Sequence, residues 1–149
     1  MMKFNTKTRY GIRTMIEIAM HWNSKGVLQK DISERQEISF KYLDQIIASL
    51  KASGLIVNSS GRMSGYILSK DPEEISVYDV YKAFEHELVI TDCLAREGIC
   101  KRDSLCAARD FWNELNNIII EYLESTKLVE LAQKQRQIND SEVENMFYI

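Results

Sequence analysis

The chain has few helix-breaking residues and few of the residues that carry most enzyme chemistry. Its 149 residues include one proline, six glycines, three cysteines and two histidines. So few helix breakers predict a mainly α-helical protein. The sequence contains no serine–histidine–aspartate set, no glycine-rich phosphate loop and no H-E-x-x-H motif. We therefore expect that the protein is not an enzyme.

Long apolar runs are also missing. No run approaches the roughly 18 apolar residues that a membrane helix needs. The N-terminal stretch MMKFNTKTRYGIR lacks the apolar core of a signal peptide. We therefore expect a cytoplasmic protein with no membrane partner. At this length it forms one domain, or one domain with an oligomerising appendage.

Charge is divided unevenly between the two halves. Residues 1–70 carry 11 Lys and Arg against 5 Asp and Glu, whereas residues 71–149 carry 8 against 17. A basic half beside an acidic half is typical of a nucleic-acid-binding module joined to a regulatory or assembly module. Ordinary scatter of surface charge is the alternative interpretation.

The spacing of apolar residues in the basic half predicts a helix-turn-helix. We expect helices over 6–21 and about 29–35, and a third helix that begins at Ser39, a good N-cap. Two short helices joined by a tight turn, the second polar on its outer face, form the DNA-binding pattern. Hydroxyl, amide and carboxylate groups can read base edges, and basic or phenolic groups can hold phosphates. The candidate DNA-binding residues are Ser39, Lys41, Tyr42, Asp44 and Gln45.

Two short strands follow the third helix. Leu55–Val57 and Tyr66–Leu68 flank a turn rich in serine and glycine. Helix, helix and hairpin in this order predict a winged helix, so the fold class is mainly α with a small β-hairpin wing. Arg62, at the tip of the wing, is placed to enter a minor groove. A solvated loop arginine is the alternative.

All three cysteines lie within 14 residues, CLAREGICKRDSLC, as Cys93, Cys100 and Cys106. Cytoplasmic proteins seldom use structural disulfides, and three is an odd number for them. Closely spaced thiolates can hold an iron–sulfur cluster. The spacing contains neither the C-x2-4-C knuckle of zinc sites nor a redox C-x-x-C. The stretch is therefore a candidate sensor, acting through a cluster or as a thiol switch.

A long helix is predicted after the third cysteine. From Ala107 to about Ser125 there is no glycine or proline. A broad apolar stripe in so short a chain needs a partner surface, and we expect the same helix of a second subunit to supply it. Such a dimer would present two recognition helices to a palindromic operator. A core helix packed on its own domain is the alternative. The predicted interface residues are Trp112, Leu115, Ile119 and Tyr122.

These patterns divide the chain into four parts. We expect a winged helix-turn-helix domain at 1–85, a cysteine-bearing sensor loop at 86–108 and a dimerisation helix at 104–128. The C-terminal segment, 129–149, begins with a short helix over Val129–Gln137. The remaining tail is expected either to be partly disordered or to dock through Met146–Ile149.

Several stretches resemble the IscR/NsrR-type family of winged-helix transcriptional regulators. They are ISERQEISFKYLDQIIASLKASGLI at 32–56, the wing residues Gly-Tyr-Ile-Leu, TKTRYGIRTM, DPEEISVYDV and the three cysteines ahead of a long helix. The resemblance covers roughly residues 1–135. It implies a homodimeric transcriptional repressor that binds double-stranded DNA and whose cysteines hold a [2Fe–2S] or [4Fe–4S] cluster. It also implies sensing of iron–sulfur status, redox state or nitric oxide.

This chain departs from the family pattern at the position of the fourth cluster ligand. IscR-like members have a histidine three residues after the third cysteine, where this chain has Arg109, which cannot ligate iron. NsrR-like members use an N-terminal aspartate of the partner subunit, and the matching position here is Arg9. The open candidates are His86, Asp92, Glu97, Asp103 and an exogenous ligand.

Three functions therefore compete. The first is a transcriptional regulator controlled by an iron–sulfur cluster. The second is a cluster-free regulator of the same fold that uses its cysteines as a thiol redox switch, or that responds to a protein or small-molecule partner. The third, a small metal-binding or redox enzyme, has no motif in its favour.

Overall fold

The fold is a winged helix extended by two long C-terminal helices. The computed structural model describes residues 3–61 and 64–148. The predicted fold class, mainly α with a two-stranded wing, is confirmed. The elements are α1 (Thr6–Met20), α2 (Gln29–Gln36), α3 (Phe40–Ala52), β1 (Ile56–Asn58), β2 (Tyr66–Leu68), α4 (Val77–Lys82), α5 (Asp92–Ala95), a 3-10 turn (Asp103–Leu105), α6 (Ala107–Ser125) and α7 (Leu128–Phe147). Within the two described stretches, no helix combines the length and the apolar character needed to cross a membrane.

Local hydrogen bonds shape the turn between α2 and α3. Glu37 adopts a left-handed conformation with φ 53°, which ends α2. The Ser33 hydroxyl donates to the carbonyl of Ile38 at 2.6 Å. Ser39 then caps α3 by accepting from the backbone N–H of Tyr42 at 3.2 Å, as its sequence position predicted. These bonds fix the angle at which α3 leaves α2.

A buried carboxylate joins α1 to α2. Glu17 is only 3% exposed, and its two carboxylate oxygens accept from Arg35 at 2.9 Å and from Gln36 at 3.0 Å. The hydrogen bond from Arg35 to Glu17 raises the pKa of the arginine. A buried charge is stable only when it is paired and hydrogen-bonded, so this contact sets how α2 sits on α1.

The core is formed around α1 and α3. Met15, Ile18, Leu43, Ile46 and Leu50 are at most 1% exposed. Removing one such apolar side chain from water contributes about 1.5–3 kcal/mol to stability. Residues from other parts of the chain complete the same cluster, namely Ile32, Ile56, Leu68, Ile75, Leu128 and Ala132.

The C-terminal segment differs from its expected form. Instead of a short helix and a tail, one helix, α7, runs from Leu128 to Phe147. Its first turns bury Leu128 and Ala132, four residues apart, in the core beside α1. Arg136 also donates to the backbone carbonyl of Met20 at 2.7 Å. The start of α7 therefore belongs to the winged-helix core. The mostly polar composition of the segment gave no sequence signal for this packing.

The wing is a short antiparallel hairpin supported by a third segment. Its register pairs Ile56 with Leu68 and Asn58 with Tyr66, one residue later in β1 than predicted. Val27 and Tyr66 exchange two backbone hydrogen bonds of 3.0 and 2.8 Å. Gly65 lies so close to Val27 that a Cβ at this position would stand 2.5 Å from the carbonyl of Val27. The wing base therefore has no room for a side chain there.

We expect Gly65→Ala to lower the free energy of unfolding by about 1–3 kcal/mol, because the added methyl group must push Val27 away from Tyr66. Urea denaturation measures this loss. The exposed neighbour Ser64 gives a matched control, since Ser64→Ala should change stability by less than about 0.5 kcal/mol. Equal stability of the two variants would contradict the close packing.

Candidate DNA-binding and sensor sites

The predicted DNA-binding residues of α3 fall into two groups. Lys41, Asp44 and Gln45 are exposed on the outer face of the helix. Ser39 is also exposed, but its hydroxyl is engaged in capping. Tyr42 is half-buried, with its ring edge-on to that of Tyr10 at a centroid distance of 5.9 Å. The structure therefore presents three of the five side chains directly to a ligand and gives the other two a role in orienting the helix.

Gln29 connects the recognition helix to the wing, and sequence analysis did not identify it. Its side-chain amide donates to the Asp44 carboxylate at 2.5 Å, and its carbonyl accepts from the Tyr66 hydroxyl at 3.3 Å. No sequence pattern marks such a residue, because its partners lie 15 and 37 positions away. Asp44 is thus held in a fixed orientation. The predicted wing contact, Arg62, lies outside the described residues.

The three cysteines lie on one irregular loop. Cys93 is in α5, Cys100 is on an exposed turn, and Cys106 directly precedes α6. All three are free thiols, and the Cys93 sulfur is 3.1 Å from the Thr91 hydroxyl oxygen. Within 3–61 and 64–148, no three His, Cys, Asp or Glu side chains stand together as a metal site. Three accessible thiols on one loop supply the soft donors that an iron–sulfur cluster requires, but the loop must rearrange to gather them.

An ion pair organises the second half of this loop. The carboxylate of Asp103 accepts from the backbone N–H of Gly98 at 3.0 Å and pairs with the guanidinium of Arg109. Gly98 has φ 81°, a conformation that side chains disfavour, and it turns the chain back towards Asp103. Cys100 lies between the two tied positions, and Cys106 lies between Asp103 and Arg109. Among the candidate fourth ligands, Asp103 is therefore engaged, whereas His86, Asp92 and Glu97 are exposed.

Helix α6 has an outer and an inner apolar face. Phe111, Leu115, Ile118 and Tyr122 recur at i, i+4, i+7 and i+11, which places them along one side. Phe111, Ile118 and Tyr122 are 58%, 60% and 70% exposed. Ile119 lies at the edge of this side, is partly buried and lines a small cavity beside Tyr81 and Leu88. Of the four predicted interface residues, Leu115 and Tyr122 lie on the exposed side, and Trp112 and Ile119 lie along its edge.

The comparisons with known proteins identify the family. Residues 4–134 match the Rrf2 family of iron-dependent transcriptional regulators. The chain belongs to the Rrf2 family. This membership confirms the predicted resemblance and the prediction that the protein is a DNA-binding transcriptional regulator and not an enzyme.

Individual relatives agree with this assignment. The HTH-type transcriptional regulator IscR of Photorhabdus laumondii is 36% identical over 138 residues, which cover 93% of this chain and 84% of the relative. CymR, the global cysteine regulator of B. subtilis, superposes with a TM-score of 0.78 at 28% identity and covers 90% of this chain and 98% of its own. IscR of T. potens superposes with a TM-score of 0.73 at 30% identity, covering 90% and 88%.

In this Rrf2-family chain, Asp103→Ala removes both contacts that fold the loop between Gly98 and Arg109. We expect the Gly98 amide of metal-free protein to exchange its hydrogen about five-fold faster, as losing a net hydrogen bond of about 1 kcal/mol implies. Hydrogen exchange followed by NMR measures the rate. Ser104→Ala, at an exposed neighbouring position, should leave it unchanged. Unchanged exchange in Asp103→Ala would show that the two contacts do not hold the loop.

Proposed function

We propose that the chain is a homodimeric cytoplasmic repressor whose affinity for a palindromic operator is controlled by an iron–sulfur cluster held by Cys93, Cys100 and Cys106. One observation supports this most. Three accessible thiols lie on a single loop that begins beside α4 and ends at the first turn of α6, in a winged-helix protein similar to IscR. Any ligand that gathers these thiols acts on the start of α6.

The proposed DNA contacts follow from the exposed face of α3. Lys41 binds a phosphate, the Gln45 amide donates to and accepts from a base edge, and the Asp44 carboxylate accepts from a cytosine amino group. Gln29 holds Asp44 in place, and Ser39 with Tyr42 positions the start of the helix. Arg62 would add a minor-groove contact. Because phosphate contacts release counterions, operator affinity falls steeply as salt rises.

The proposed dimer forms through the outer face of α6. Leu115 and Tyr122, two of the predicted interface residues, lie on this face with Phe111 and Ile118. Trp112 stands at its edge, with its ring 5.0 Å from that of Phe111. Ile119 lies at the same edge and is partly covered by its own chain, so it contributes less to the proposed contact. The proposed interface is therefore centred on Phe111, Leu115, Ile118 and Tyr122.

The proposed control operates through the loop. When bound, the cluster supplies a centre that reacts with oxygen or nitric oxide and that is lost when iron is scarce. Because Arg109 cannot ligate iron, the fourth position falls to another side chain or to an exogenous ligand. Cys106 adjoins α6 and Cys93 lies in α5, so gathering the thiols draws these two elements together. The two arrangements of the loop thus favour different positions of α6, which is a population shift.

A second function has a specific observation in its favour. All three cysteines are free and at least partly accessible, and they do not converge in the described conformation. The superposition on CymR, a global cysteine regulator, covers 90% of the chain. A cluster-free regulator would use the same loop differently. Oxidation of two of its thiols would form a disulfide, with two electrons and two protons passing to a peroxide that is reduced to water or an alcohol.

The test is an anaerobic preparation with iron and acid-labile sulfide counted per chain. We expect a visible chromophore in the wild type and its loss in Cys93→Ala, Cys100→Ala and Cys106→Ala, because each variant removes one thiolate ligand. Operator affinity, measured by anisotropy of labelled DNA, should change when the wild-type chromophore is destroyed.

Lys41→Ala provides the matched control, because Lys41 is exposed on α3 and far in sequence from the loop. It should keep the chromophore and lose DNA affinity. A colourless, iron-free wild type that still binds DNA would refute the cluster and leave the thiol switch.

The dimer interface is tested by Ile118→Glu, which places a charge in the centre of the proposed apolar contact. We expect the variant to sediment as a monomer, because an unpaired buried carboxylate is costly. Asn117→Glu introduces the same charge at the exposed neighbouring position, which points away from the stripe, and should stay dimeric. Identical sedimentation of the two variants would place the interface elsewhere.

A further inference from the structure

Residues 88–90, the short segment that leads into the cysteine loop, are held by a buried amide. Asn116, in α6, is only 8% exposed. Its side-chain nitrogen donates to the carbonyl of Leu88 at 3.0 Å, and its side-chain oxygen accepts from the N–H of Ile90 at 3.0 Å. One planar group therefore satisfies a backbone acceptor and a backbone donor that are two residues apart. An asparagine amide offers a donor nitrogen and an acceptor oxygen side by side, which neither a leucine nor an ionised aspartate does.

We propose that Asn116 is the positioning residue through which the arrangement of the cysteine loop is transmitted to α6 and hence to the DNA-binding domain. This inference rests on the proposed control of DNA affinity by that loop. It goes further by assigning the connection to one side chain that contacts neither DNA nor the thiols.

The loop side of this connection is short. Ile90, whose N–H is bound by Asn116, precedes Cys93 by three residues. Between them, the Thr91 hydroxyl lies 3.1 Å from the Cys93 sulfur. Leu88 is buried and anchors the other end of the segment. A displacement of Cys93 is therefore transmitted to Asn116 over a short stretch of backbone, because the Leu88 carbonyl and the Ile90 N–H are both bonded to the Asn116 amide.

The same segment is attached to the DNA-binding domain. Tyr81 of α4 donates from its hydroxyl to the carbonyl of Glu87 at 3.4 Å. Burial of this side chain, and then the charge of Glu85, raise the pKa of Tyr81 to about 12. Like an ordinary tyrosine, it keeps its proton at neutral pH and can donate. Glu85 in turn accepts from the Thr8 hydroxyl at 2.6 Å and from the Asn5 N–H at 3.3 Å. The segment thus joins α6, the cysteine loop and the start of α1.

The position of Asn116 on α6 completes the path. Its neighbour Leu115 lies on the outer stripe proposed for the dimer, whereas Asn116 faces inward. A shift of segment 88–90 therefore moves the helix that carries the dimer contacts. Without the amide, the thiols would still act on the start of α6 through Cys106, but segment 88–90 would no longer move together with the middle of the helix. The binding of a ligand at the thiols would then change DNA affinity much less.

The experiment gathers the thiols without a cluster. Arsenite condenses with three thiols to give one tris-thiolate arsenic(III) and water, so it pulls the cysteines together in metal-free, reduced protein. Operator affinity is measured with and without arsenite for the wild type, for Asn116→Leu and for Asn117→Leu, a matched control at the exposed neighbouring position. Hydrogen exchange of the Ile90 amide is followed in the same samples.

We expect arsenite to change the affinity of the wild type and of Asn117→Leu at least about five-fold, within the usual range of coupling between sites. In Asn116→Leu this change should fall to within about two-fold, with arsenic still bound and with faster Ile90 exchange. An arsenite effect of wild-type size in Asn116→Leu would overturn the inference. No effect in the wild type would overturn it as well.

Should Asn116→Leu fail to fold, Asn116→Asp serves instead. It keeps the acceptor for the Ile90 N–H but loses the donor to Leu88, and it should also lose the arsenite effect. Failure of the cluster is detected separately, because a colourless wild type that responds to arsenite refutes only the cluster. A coloured wild type with an unaltered arsenite effect in the Asn116 variants refutes only the role of Asn116.

Discussion

The burial of α1 among five other elements is the constraint on which the rest of the structure depends. α1 packs on α2, α3, α4, β2 and α7, and its Met15 and Ile18 are fully enclosed. Gly11 permits the closest approach, since a Cβ there would stand 2.2 Å from the Phe84 ring. Each large apolar side chain in this cluster contributes about 1.5–3 kcal/mol, so the winged domain is held much more firmly than the exposed cysteine loop.

That same core fixes one end of α6. The backbone bonds from Val77 to Thr126 and from Leu128 to Ile75, of 2.9 and 2.8 Å, attach the connection between α6 and α7 to the entrance of α4. The other end of α6 begins at Cys106, on the loop. The helix therefore has a firmly anchored end at the DNA-binding domain and a weakly anchored end at the thiols. Motion introduced at the weak end therefore displaces the part of α6 that carries the proposed dimer contacts, while the strong end stays with the winged domain.

Sequence alone predicted the elements whose signals are local. The cap at Ser39, the spacing of Leu43, Ile46, Ile47 and Leu50, and the hairpin order each depend on neighbouring residues, and the structure contains all of them. Contacts between distant residues carry no such signal. The amides of Gln29 and Asn116 have their partners 15 to 37 positions away, and nothing in their neighbourhood reveals a role. The spacing of apolar residues in α6 predicted a stripe along the helix. Which of these residues are buried and which stay exposed depends on the side that α4 covers, and the sequence does not reveal that side.

The pairing of Asp103 with Arg109 has a consequence for how the loop can work. Arg109 stands where relatives of the IscR type are expected to carry a ligand, and its guanidinium is directed to a carboxylate instead. Both side chains are about a quarter exposed, so water and salt screen their attraction, and the pair contributes on the order of 1 kcal/mol. An interaction of this size can define a resting shape for the loop between Cys100 and Cys106. It is small compared with the bonds that three thiolates make to iron, so a ligand at the thiols can break the pair. These contacts therefore define the shape of the loop in this structure, and they are weak enough for the loop to rearrange when a ligand binds the thiols.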